Sequence, residues 1–105
     1  MNIFDLQEFT TITLDKERRM ILSYSAIKKV QRKVKNINME DLDSFEYIFW
    51  MSLIEDDPSL KLENIESMVN LYGLKYIKPK LEEVIQRDII GLNPVEPKVE
   101  ESKNE

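Results

Sequence analysis

The chain has no cysteine and no histidine among its 105 residues. Without cysteine there is no disulfide frame, thiolate metal site or thiol nucleophile. Without histidine the commonest general base and the commonest transition-metal ligand are missing together. Catalysis would have to run on carboxylates, lysine or tyrosine alone, so composition points away from an enzyme, and no cofactor is expected. Only two glycines are present, which argues against a loop-rich architecture. No apolar run approaches the roughly 20 residues that cross a bilayer, so no membrane partner is expected. The opening "MNIFDLQEFT" has neither a positive leader nor an apolar centre and does not read as a signal peptide. These absences lead us to expect a soluble, cytoplasmic protein.

What is present fits one domain. Hydrophobic residues make up 42% of the chain, enough for a single modest core. Charge is unevenly laid out. Residues 15–35 hold eight cations (Lys16, Arg18, Arg19, Lys28, Lys29, Arg32, Lys33, Lys35) against Asp15 and Glu17, a net +6, so the remainder sums to −11 to give −5 overall. Such a dipolar layout favours self-association, an acidic partner, or docking of the chain's own acidic segments.

Periodicity predicts a β-hairpin and then helices. In "FTTITL", Phe9, Thr11 and Thr13 alternate with Thr10, Ile12 and Leu14; Asp15–Glu17 forms the turn and "RRMIL" the return strand. A first helix is expected over 24–35, with Tyr24, Ile27, Val30, Val34 and Ile37 near one face, Lys28, Lys29, Arg32, Lys33 and Lys35 over the rest, and Ser23 or Ser25 as cap. Glu40 to Glu55 reads as a second helix, apolar over so much of its circumference (Leu42, Phe45, Ile48, Phe49, Met51 or Ser52, and Leu53, widened by Tyr47 and Trp50) that it should be the central element. The Trp50 indole N–H should find an acceptor or reach the surface. A third helix runs from Leu62 to Leu71 with Gly73 as its C-terminal cap, and a fourth from Lys75 to Ile89 with Pro79 in its first turn. The expected core comprises Tyr24, Ile27, Phe45, Ile48, Phe49, Leu53, Leu62, Ile65, Val69, Leu81 and Ile85. The fold class is thus mainly α: residues 1–8 a flexible lead, 9–90 a hairpin followed by a bundle of about four helices, and 91–105, with two prolines and many charges, a disordered acidic tail.

Three clusters invite a functional reading. Glu55-Asp56-Asp57 could hold a hard cation, but a calcium loop spaces its ligands at alternate positions around a glycine, and nothing like that follows. The acids read better as the exit from a buried helix, with Pro58 enforcing the turn. The basic helix face could meet phosphates, but the chain is acidic overall and no aromatics or glycine-rich loop interleave with the lysines. A solvated face, or a contact for acidic protein segments, fits better. Tyr24, Tyr47, Tyr72 and Tyr76 show no nucleophile–base pattern. Met20, Met39, Met51 and Met68 read as core filler, with Met51 beside Trp50 able to line an adaptable groove. The candidate protein-interaction residues are therefore Lys28, Lys29, Arg32, Lys33, Tyr47, Trp50, Met51 and Ile54.

In order, "TITLDKERRMILSYSAIKKV" followed by "FWMSLIEDDPSLKLENIESMV" resembles the tail assembly chaperones of long-tailed bacteriophages and prophages. The resemblance covers about residues 9–90 and is strongest from Trp50 to Val69, notably Trp50, Leu53, Glu55-Asp56-Asp57-Pro58-Ser59-Leu60, Leu62, Glu63 and Ile65. Lys61 departs from the pattern, standing where the family places Thr or a similar cap, and Ser59 is the expected substitute. The resemblance implies a non-enzymatic protein of the host cytoplasm that coats the tape measure protein, and also meets the tail tube protein, before the tube polymerises. It implies a homo-oligomer that is absent from the finished virion. A frameshifted longer product, common in the family, would join at the C-terminal segment. The competing reading is a small regulatory protein that binds nucleic acid or a single protein partner through the basic helix 24–35.

Overall fold

Thr10–Thr13 (β1) and Glu17–Met20 (β2) pair antiparallel in the register Thr10↔Met20, Thr11↔Arg19, Ile12↔Arg18, Thr13↔Glu17 in a computed structural model that describes residues 2–35 and 37–91. Alternation decides which residues face inward: Thr10, Ile12, Arg18 and Met20 are buried, while Thr11 and Thr13 face out. The loop is Leu14–Lys16, closed by the Leu14 N–H donating to the Lys16 carbonyl at 3.0 Å. Ahead of the hairpin, where a flexible lead was expected, Ile3–Leu6 (α1) forms a turn capped by Asn2. Phe4 is buried there, and its ring packs edge-on to Phe9 at 5.4 Å. The physical reason is that Arg19, half-buried on the outer face of β2, holds its guanidinium 4.0 Å over the Phe4 ring.

Four longer helices follow: α2 (Tyr24–Lys33), α3 (Leu42–Leu53), α4 (Leu62–Tyr72) and α5 (Leu74–Ile85), the last passing into a π-helical turn at Gln86–Ile90. The fold is mainly helical with an N-terminal hairpin. The α3 helix lies at the centre, in contact with β2, α2, α4 and α5. It buries Phe45, Ile48, Phe49, Met51, Ser52 and Leu53, and the Phe45 and Phe49 rings stack at 6.1 Å. The buried Ser52 hydroxyl donates to the Phe49 carbonyl at 2.6 Å, and the Ser52 carbonyl accepts the Ile21 N–H at 2.9 Å. That second bond ties the end of β2 to the end of α3.

Several boundaries differ from the sequence reading, each for a local reason. The α2 helix stops at Lys33 because Val34 turns extended and buries its side chain. Asp41 caps α3, its carboxylate accepting from the Asp43 N–H and the Ser44 hydroxyl, so Glu40 lies outside the helix. At the other end α3 closes at Leu53, whose carbonyl accepts from both Asp56 and Asp57 N–H groups. Tyr24 is 66% exposed and Leu62 40% exposed, so neither belongs to the core; each opens its helix before the axis meets the interior. Ser59 does not cap α4: its hydroxyl donates to Asp57 at 2.6 Å. Instead the Asn64 side chain accepts the Lys61 N–H at 3.0 Å.

Gly73 both ends α4 and starts α5. Its N–H donates to the Val69 carbonyl, its own carbonyl accepts from Tyr76 and Ile77, and its φ of +88° favours glycine. Pro79 is the sixth residue of α5 rather than part of its first turn. It leaves the Lys75 carbonyl without a helical donor, on a side where both residues face water. The π turn replaces the expected helix end at Ile89. It swings Arg87 and Asp88 onto the hairpin, Arg87 donating to the Thr10 hydroxyl at 2.7 Å and Asp88 accepting the Leu22 N–H at 2.9 Å. Residues 92–105, most of the expected tail, lie outside the described residues.

Phe49 has no exposed surface. Phe49→Ala is expected to lower stability by about 3–5 kcal/mol, read from the denaturant midpoint at constant slope.

Candidate functional site

The acid run after α3 proves to be a clasp between two parts of the chain. Asp56 accepts from the Arg19 backbone N–H at 3.0 Å and from its guanidinium at 3.0 and 2.7 Å. Asp57 accepts from Arg18 at 3.1 Å, while Asp15 takes the other edge of the same guanidinium through two bonds of 2.9 Å. Arg18 points inward from β2 and is only 4% exposed, so without these two carboxylates it would be an uncompensated buried cation. Glu55 stays exposed. The sequence reading of the acids as a helix exit and turn stands, and their arginine partners are the addition.

Each of these three carboxyls is held below the usual carboxylate range. For Asp15 the Arg18 hydrogen bonds are the main cause. For Asp57 the Ser59 hydroxyl comes first and Arg18 second. Burial pushes Asp56 up, but the Arg19 amide and guanidinium together outweigh it and bring it down. A lowered folded-state pKa means stability that is present above the unfolded carboxylate value of about 3.9 and lost as pH falls through the lower folded value.

The candidate interaction residues fall into distinct environments. Lys28, Lys29, Arg32 and Lys33 are exposed along α2, and none forms an ion pair among the described residues. The Lys28 ammonium lies 5.6 Å from the Tyr24 ring and that of Lys33 5.4 Å from the Tyr47 ring. Tyr47 and Trp50 on α3, and Ile54 at its C-cap, are half-buried along the outer face, the two rings 6.0 Å apart. The Trp50 indole N–H donates to the Leu60 carbonyl at 2.9 Å, the acceptor it was expected to need. Met51 is 2% exposed and cannot line a surface; it belongs to the buried core. On the α4 side of this face stand Glu46 and Glu66. The Glu46 carboxyl is pushed up, first by burial and then by the charges of Glu66 and Asp43.

A further feature was not anticipated. Leu60, Met68, Leu71 and Tyr72 line a cleft of about 320 Å³ whose rim carries Asn64, Ser67 and the Asp15–Arg18 pair. Only Ile65 of α4 is fully buried, and Leu71 is 73% exposed. The available signal was Leu71, which lies off the face that Leu62, Ile65, Met68 and Val69 share and makes the apolar arc of this helix wider than one core contact needs. Comparison with family models, curated proteins and solved structures gives no match.

Asp56→Ala should destabilise the protein by about 2 kcal/mol at neutral pH, because it removes three charge-assisted bonds from a mostly buried carboxylate. The difference from wild type should close as pH falls below about 4 in parallel denaturant titrations. A constant difference down to pH 2 would contradict the assigned role.

Proposed function

We propose that the protein is a non-catalytic tail assembly chaperone of a long-tailed phage or prophage, acting in the host cytoplasm on the tape measure protein and leaving before the virion is complete. The observation that carries this reading is the α4 cleft. A small domain leaves Leu71 in solvent beside half-buried Met68 and Tyr72, next to the Leu60 corner, although a core stands ready to take apolar side chains. A tape measure is a long helical chain with apolar stripes that stay uncovered until the tube encloses them. A shallow apolar cleft with a polar rim can cover such a stripe and release it again, because an interface of this size is modest. The resemblance in Trp50–Val69 supports the same reading, since that segment builds the end of α3, the clasp corner and α4. Among the described residues no helix is long and apolar enough to cross a membrane. The tail tube protein is a second candidate client by the same chemistry.

The competing reading, a polyanion-binding regulator, draws on the exposed cations of α2, which form no ion pair among the described residues. The acidic residues that share the adjoining α3 face, and the net charge of −5, weigh against it.

Co-expression with the cognate tape measure should raise the solubility of that protein and yield a complex with several copies of this chain per tape measure. Leu71→Asp alters an exposed side chain and should change stability by less than about 0.5 kcal/mol. It should nonetheless abolish the solubilising effect. A wild-type protein that leaves the tape measure insoluble, or a Leu71→Asp variant as effective as wild type, overturns the proposal.

A further inference from the structure

We infer that the outer face of α3 takes a basic segment of a partner protein, with an arginine guanidinium of that segment laid against the inclined rings of Tyr47 and Trp50 and met by the carboxylates of Asp43, Glu46 and Glu66. The inference rests on ring geometry, exposure and charge layout, and it stands apart from the chaperone reading.

Asp43, Tyr47, Trp50 and Ile54 follow one another at helical spacing, so their side chains run down one side of the α3 axis. Asp43 is exposed and the other three are half-buried. The rings of Tyr47 and Trp50 stand 6.0 Å apart and inclined by 54°, an open V rather than a stack. The indole N–H is already held by the Leu60 carbonyl, so Trp50 offers its ring face and asks for no acceptor. Such a face attracts a cation, and indole attracts it most. The chain itself supplies an instance next door, where the Lys33 ammonium lies 5.4 Å from the centroid of the Tyr47 ring. No cation of the described residues stands over Trp50.

The carboxylates around the rings call for the same guest. Asp41 and Asp43 line a cleft of about 290 Å³ together with Lys33 and Tyr47. Beside Trp50 stands Glu46, half-buried, and its carboxyl is pushed up first by burial and then by the charges of Glu66 and Asp43. None of these acids forms an ion pair among the described residues. The neighbouring cations, Lys33 at one end and Lys61 after Leu60 at the other, are outnumbered by Asp41, Asp43, Glu46 and Glu66. A guanidinium answers both demands at once: its plane stacks on a ring while its N–H edge donates to carboxylates. Other occupants fit less well. A nucleic acid would be repelled by the acids. A second copy would bring acids along with its cations, because Asp41 and Asp43 share a cleft with Lys33. A purely apolar segment would bury Glu46 and Glu66 with their repulsion unrelieved.

Trp50 is the only tryptophan, so its fluorescence reports on this face alone. Titrating the full chain at low ionic strength with a blocked hexa-arginine peptide should give a saturable change in that emission, fading as salt is raised to about 0.5 M. A hexa-lysine peptide should bind about three- to fivefold more weakly, because an ammonium stacks on a ring less well than a guanidinium. Asp43→Asn combined with Glu66→Gln alters two exposed side chains and should weaken the arginine peptide by at least about fivefold, with melting unchanged. Glu8→Gln combined with Glu17→Gln changes the net charge equally, but before and within the hairpin, and should leave binding within about twofold of wild type. No saturable change up to about 1 mM peptide, equal affinity for the two peptides, or equal loss in the two double variants each overturns the inference. So does an RNA oligomer that saturates the same signal, or emission that shifts with the protein's own concentration before peptide is added. Neither substituted pair lies in the α4 cleft, so solubilisation of the tape measure tests the other proposal separately.

Discussion

Arg18 is the residue on which the arrangement of this chain turns. The two-residue period of β2 aims it inward beside Ile12 and Met20, a direction normally reserved for apolar groups. A buried guanidinium is tolerated only when its donors are met by well-placed carboxylates. Asp15 answers from the hairpin loop and Asp57 from the corner between α3 and α4. Arg19, facing the other way, repeats the arrangement with Asp56 and carries the α1 turn on its outer side through the Phe4 ring. Adjacent residues on one strand thus reach the same corner from opposite faces, and the Asp57-Pro58 break has a tertiary purpose as well as a local one. The two-stranded ribbon would be marginal alone and owes its place to this clasp and to the π turn gripping its other side.

The corner held by the clasp also fixes what the surface offers. Leu60 follows it directly, buries its side chain, and gives its carbonyl to the Trp50 indole, so the pose of the only tryptophan is set by the same turn that sets the start of α4. The α4 helix then leaves the corner with only Ile65 fully inside, and its remaining apolar residues form the cleft beside Arg18. A single structural element therefore positions both the aromatic strip on α3 and the apolar cleft on α4.

Much of this fold was legible from the sequence because its causes are local. The switch from a two-residue to a 3.6-residue period at Ser23, the glycine at 73 and the all-round apolar character of 42–53 each act within a few residues, and the structure follows them closely. The misreadings share a different cause. Tyr24 and Leu62 have the right period but sit at helix starts, where position along the axis, invisible in a helical wheel, decides burial. Met51 follows Trp50 directly in sequence, yet its angle on α3 turns it inward, so nearness in sequence was mistaken for a shared face. The arginine–aspartate clasp spans 37 and 39 residues, and no spacing rule links such positions. The π turn likewise answers a tertiary demand, bringing Arg87 to Thr10 across the fold.

The division of the surface follows from how the core is shared out. A helix at the centre of a small domain needs more neighbours than a chain of this length can supply, so one side of α3 remains thinly covered, with Tyr47 and Trp50 half-buried there. The α4 helix, at the periphery, has the converse problem: it brings more apolar surface than the core can accept. The first situation leaves a half-buried aromatic strip, the second an apolar trough with the Asp15–Arg18 pair at its rim. The two meet at the clasp corner through Leu60, whose side chain lines the trough and whose carbonyl accepts the Trp50 indole N–H. Strip and trough are therefore joined through one hydrogen bond of 2.9 Å, and the turn that Arg18 and Arg19 hold fixes both ends of it.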